Sequence, residues 1–222
     1  MLVARVLRAG ATTSWTHASF FERSDSFGTI GGDVEFDTRI DPILPRNAVY
    51  ARAAWEHFSF GAGQPEGSPP PDGGRRGVGG AARTELEARG YLGLVGQSIL
   101  AVRGLRTDSS VPLPPYLQPL LGGMANLRGF KAGTAVGDTL VAASAELIVP
   151  LTSPLHIGKV GVSVFADRGT VYDKGEHFAD QTMRQGYGGS VWFAAAFLRM
   201  NVAVAHGSGA STRVHFGAST TF

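Results

Sequence analysis

The residues of this chain that could do chemistry are scattered. Its six histidines, His17, His57, His156, His177, His206 and His215, lie far apart in sequence. No Gly-x-Ser-x-Gly elbow or His-Glu-x-x-His helix sets one of them beside a nucleophile or a metal. The absence of Cys removes thiolate zinc sites, disulfides and cysteine nucleophiles. Asp173, Glu176, His177 and Asp180 do fall together, but among Gly and Lys, where a solvated loop accounts for them and no metal is expected. The Gly-rich run at 77–80 lacks a phosphate-loop lysine and opens no helix. What remains is charge pairing and backbone recognition, neither of which needs a cofactor. Arg128, Glu146 and Asp167 are candidates, although taken as three isolated charges they read as unrelated solvated groups.

The elements that would position such groups repeat every two residues. In 159–167, Lys159, Gly161, Ser163, Phe165 and Asp167 share one face, while Val160, Val162, Val164 and Ala166 share the other. In 212–222 every charge again falls on one side, with Val214, Phe216, Ala218, Thr220 and Phe222 opposite. Arg83, Glu85, Glu87 and Arg89 alternate with Ala82, Thr84, Leu86 and Ala88 in the same way. The periodicity predicts strands at 2–9, 12–22, 28–40, 48–60, 79–89, 91–104, 138–149, 157–168, 186–197, 198–206 and 212–222, which makes ten or eleven strands. Two long interruptions break the series, a Gly/Pro-rich stretch at 61–78 and the segment 105–137.

Alternation alone fits a soluble sandwich and a membrane barrel equally. The length of the strands, an apolar face of Val, Ala and Leu, and aromatics such as Tyr187, Phe197 and Phe222 at strand ends favour an all-β, antiparallel transmembrane β-barrel. The 31 Gly and the 17% of charged residues suit a turn-rich β protein. A net charge of +2 with dispersed basic residues gives no reason to expect nucleic acid. The longest apolar run, VWFAAAFL at 191–198, is far short of the roughly 18 to 20 residues of a spanning helix. The opening MLVARVLRAGATTSW has arginines inside its apolar part and does not read as a signal peptide.

Several motifs resemble one family. LGGMANLRGF at 121–130, GDTLVAASAELIVP at 137–150, VFADRG at 164–169 and the terminal Phe222 are similar to segments of the BamA/TamA-like bacterial surface antigens of the outer membrane. FDTR at 36–39 matches a further segment more loosely. The resemblance implies that the loop bearing Arg128, Gly129 and Phe130 folds back into the lumen. Arg128 would there meet Glu146 and the Asp167 of the Phe165-Ala166-Asp167-Arg168-Gly169 motif, as a latch between loop and wall. It implies that Phe216 and Phe222 belong to a C-terminal insertion signal. It implies a bacterial outer-membrane location and a job without covalent chemistry: inserting other barrel proteins into that membrane, or passing polypeptide through it. The expected partners are outer-membrane lipids, unfolded barrel or secreted client polypeptides, and accessory assembly proteins. Residues 1–222 then read as the C-terminal portion of a sixteen-strand barrel, without the periplasmic POTRA domains of full-length members. A passive pore, or a structural outer-membrane anchor of a larger protein, is the alternative.

Overall fold

The computed structural model describes residues 6–20, 23–60, 80–153, 158–195 and 198–220. Ten long strands form one antiparallel sheet: β1 (Leu7–Phe20), β2 (Arg23–Asp37), β3 (Ala48–Phe60), β4 (Gly80–Gly93), β5 (Ile99–Ser109), β8 (Thr139–Thr152), β9 (Gly158–Tyr172), β10 (Arg184–Ala195), β11 (Leu198–Gly207) and β12 (Arg213–Thr220). Each strand pairs with the next long strand in the chain, and β5 meets β8 across a loop that contains the two short strands β6 (Leu120–Leu121) and β7 (Ala135–Val136). Such a meander needs no crossover, so the register of each hairpin follows from its neighbours.

The alternation in the sequence is the alternation in the fold. Along β9 the side chains of Ser163, Phe165 and Asp167 are buried, while Val162, Val164 and Ala166 are exposed on the opposite face. Outward positions on the other strands are likewise apolar: Val191 and Phe193, Met200, Val202 and Val204, Val214 and Phe216 all lie open. A sheet whose exposed face is aliphatic and whose covered face carries the charges is the inverse of a soluble sandwich, and suits lipid outside and protein inside. Among the described residues no helix is long and apolar enough to cross a membrane.

The covered face carries cross-strand ion pairs. Arg52 of β3 reaches Asp33 of β2 at 3.5 Å and Glu85 of β4 at 3.1 Å, and Arg83 bonds Glu56 at 2.6 Å. Glu87 accepts from both Arg89 and Arg103. Two connections fold onto this face from opposite ends. Leu44, from the segment between β2 and β3, packs against Ile99, Ile148, Trp192 and Ala194. At the other end Leu113 joins Phe27, Phe58 and Ala81, with Tyr116 stacked on Phe27 at 5.8 Å. Contacts from the β2–β3 connection to β10 require the sheet to curl, as strand twist dictates.

The structure corrects two strand boundaries. The break read at 10–11 does not exist, because Gly10 pairs with Asp33 and Ala11 with Gly32 in one continuous strand. The turn read at residue 90 lies instead at 94–98. Gly96 there takes a φ of +64°, Asn47 Oδ1 accepts from the Gly93 N–H at 2.9 Å, and the Arg46 guanidinium donates to the carbonyls of Leu94 and Gly96 at 2.5 and 2.9 Å. A turn stabilised by an arginine some fifty positions away leaves no local signature. Among the described residues β1 and β12 each pair on one side only, which agrees with a sheet that is part of a larger barrel. The expected loop at 61–78 and Phe222 lie outside the described residues.

Candidate lumen loop site

The loop between β5 and β8 is fastened first at its base. Asp138 is fully buried, and its carboxylate accepts the Leu113 N–H at 2.7 Å and the Lys174 N–H at 2.9 Å, joining the loop to the β9–β10 connection. Asp138→Ala leaves two backbone donors without their acceptor, of which the buried Leu113 N–H costs about 1–3 kcal/mol and the half-buried Lys174 N–H less. Faster proteolysis between residues 110 and 137 in the folded protein is the expected readout, and an unchanged cleavage rate would refute this role for Asp138.

Beyond this base, glycine carries the chain into a tight reversal. Gly122 and Gly123 adopt φ of +111° and +80°, a region closed to most L-residues, and Asn126 Oδ1 caps the turn by accepting the Gly122 N–H at 2.8 Å. Leu121, Leu127 and Phe130 then bury against Leu140 and Ala142 of β8. That apolar anchoring directs Arg128 toward the wall.

Arg128 is 7% exposed and Asp167 2%. The guanidinium donates from Nε and Nη2 to the two Asp167 oxygens at 2.8 and 2.7 Å, from Nη1 to Glu146 at 2.7 Å, and from Nη2 to Ser144 Oγ at 3.2 Å. Its own backbone N–H adds a bond to Asp167 at 2.9 Å, and its Cζ lies 3.4 Å from the Phe165 ring centroid. Two carboxylates at fixed angles, plus an aromatic face, match a planar fork and not a point charge. Glu146 is further held by Ser163 Oγ at 2.6 Å, and Ser163 by Ser190 at 2.7 Å, so the polar chain crosses from β8 through β9 to β10.

The strands after β9 form a trough for the loop backbone. A Cβ on Gly186 would stand 1.9 Å from the Arg128 carbonyl oxygen, and one on Gly207 would stand 2.6 Å from the Phe130 ring. Gly129, at φ +93°, lies against the Gly207 N–H and the His206 carbonyl. Gly169 makes room for Leu121 in the same way. The edge strand β12 also participates, because His215 Nε2 accepts the Gly129 N–H at 3.0 Å. His215→Leu is therefore expected to speed hydrogen exchange of the Gly129 amide by one to two orders of magnitude, as loss of a bond worth about 1–3 kcal/mol requires. Exchange at the wild-type rate would mean that His215 does not hold the loop.

Arg128, Gly129, Phe130, Glu146, Phe165, Asp167 and Gly169 thus meet at one place, while Phe216 lies apart on the outward face, 75% exposed. Sequence reasoning missed Ser144, Ser163 and Ser190, the trough glycines Gly186 and Gly207, Asp138 and His215. The inward parity of Gly186, Ser190 and Gly207 was legible. Nothing local told that a loop from some sixty positions earlier would lie on them.

Comparison with known proteins bears on this geometry. None of the curated proteins matches the chain. Among solved structures, the chain is similar to BamA from Haemophilus ducreyi lacking POTRA domains 1–3, with a TM-score of 0.56 and 16% identity over 97% of this chain. The chain spans 59% of the length of that protein. The pattern of the Omp85 superfamily domain matches residues 22–222. With that match over most of its length, an outward aliphatic face and an inward-folded loop, the chain belongs to the Omp85 superfamily of bacterial outer-membrane β-barrels.

Proposed function

We propose that this chain is the C-terminal part of a barrel that inserts other β-barrel proteins into the outer membrane or passes polypeptide through it. The observation that carries the reading is the loop 110–138, bound to the inner wall through Arg128, Asp167 and Glu146 and touching β12, which among the described residues pairs with β11 alone. A lateral seam beside β12, when it opens, presents a row of backbone donors and acceptors to which an extended client segment can add as a strand. The latched loop lies against β10, β11 and β12 and keeps those strands in register while the edge is in use. On this reading Arg128, Gly129 and Phe130 act by position, Phe216 and Phe222 by marking the last strand for insertion, and no group undergoes covalent change. The 222 residues are then a portion of a larger, sixteen-strand barrel, and the strands that face β1 and β12 come from outside it.

Against a wide passive pore stand two further contacts, Leu44 and Leu113, which pack from two connections onto the covered face toward its opposite ends. Depletion of the natural full-length protein in its host, followed by quantification of outer-membrane barrel proteins and of secreted polypeptides, tests the reading. A fall in either supports it. Unchanged levels of both, together with ion conductance of the purified protein in planar bilayers, would replace it with the pore.

A further inference from the structure

The outward face of β8 to β10 changes character toward the end where the longer connections emerge. Its aliphatic belt, Val162 and Val164 on β9 with Val191 and Phe193 on β10, runs up to Tyr187, 56% exposed and paired with Ala166 of β9 and His206 of β11. An exposed tyrosine at the top of an aliphatic belt marks the membrane interface. Immediately beyond it, Arg168 faces outward, opposite Ala143 on one side and Gln185 on the other, and both Arg168 and Gln185 are exposed.

Arg168 has no hydrogen bond or ion pair within the described residues, whereas the covered-face arginines Arg52, Arg83, Arg89, Arg103 and Arg128 each meet a carboxylate. A second outward arginine, Arg106 on β5, bonds Asp108 but keeps half its side chain exposed, at 52%. The pairing of Arg106 with Val141, and of Ala143 with Arg168, sets the two on one face, two strands and two residues apart, about 12 Å from strand spacing and rise. An unpaired outward guanidinium offers five N–H donors that hydrocarbon cannot satisfy, and its fork matches the oxygens of a phosphate.

We propose that Arg168, with Gln185 beside it and Arg106 as a second cationic point, forms an outer-wall site for the phosphate of a lipid headgroup. The aliphatic belt below would receive the acyl chains. The site lies back to back with Asp167, so a bound lipid would brace the segment of β9 whose inner side holds the Arg128 loop. The inference depends on the barrel orientation alone and stands or falls separately from the assembly function.

Native mass spectrometry of the purified full-length protein in an uncharged detergent tests it, with a diphosphorylated glycolipid of the lipid A type as the probe. Wild-type protein is expected to retain the lipid, and Arg168→Gln to bind about ten-fold more weakly, the loss of one charge-assisted hydrogen bond. Arg168→Lys should recover part of the affinity, and Arg106→Gln should weaken binding further. Heat-modifiable gel migration reports that each variant has folded. Equal retention by Arg168→Gln, equal retention of the dephosphorylated lipid, competition by inorganic phosphate at matching concentration, or no retention by the wild type would each overturn the proposal.

Discussion

Arg128→Ala is expected to release the lumen loop and, on the proposed function, to abolish client handling. The substitution removes every guanidinium bond to Asp167 and Glu146 and leaves Asp167, 2% exposed, as a buried carboxylate with only the residue 128 backbone N–H for company. Breaking one partner of a buried ion pair costs about 3–5 kcal/mol. The ten-stranded sheet does not depend on this contact, so the cost falls on the loop, which detaches and lets water reach Asp167. Amide exchange across 120–130 should rise by orders of magnitude while exchange in β8 and β9 stays slow. Arg128→Lys should lie between, because an ammonium keeps charge but cannot hold both carboxylates in one plane. A protected loop in Arg128→Ala would refute the latch, and full insertion activity with a detached loop would refute its part in function.

Gly186→Val is expected to produce the same detached loop from the opposite wall, with every charge intact. The first added carbon would stand 1.9 Å from the Arg128 carbonyl oxygen, and the obstacle is backbone, which cannot rotate aside. Overpacking in well-filled interiors costs about 1–3 kcal/mol when side chains can yield; here the loop must move away. Gly207→Val should act similarly through the Phe130 ring, 2.6 Å from its new carbon. Gly104→Ala on β5 is the control, since nothing lies within 4 Å of its added carbon. Limited proteolysis of the three variants in detergent decides the matter. Cleavage of the loop in both valine variants and not in Gly104→Ala is the expected pattern, and an intact loop in Gly186→Val would exclude the trough as a determinant of loop position.

The two predictions address one contact from its two sides, and their legibility in the sequence differs. Arg128 was visible because Leu127-Arg128-Gly129-Phe130 resembles a family motif, and the inward facing of Glu146 and Asp167 followed from parity along β8 and β9. Gly186 and Gly207 were visible only as glycines in strands. A missing Cβ has meaning through what approaches it, and what approaches here is the backbone of a loop held at its far end by Asp138 and Lys174.

By itself the sequence determined an antiparallel, all-β chain, the side of each strand that would take lipid, and the residues able to pair across the lumen. Those properties repeat at short range, where a two-residue period and the chemistry of each side chain leave few choices. Tertiary structure alone decided that one strand runs unbroken through Gly10, that a turn sits at 94–98 on Arg46, and that His215 accepts the Gly129 N–H. The Arg46 and His215 contacts join groups from distant parts of the chain, brought together by strand pairing and the curl of the sheet, and such a meeting leaves no local pattern to read.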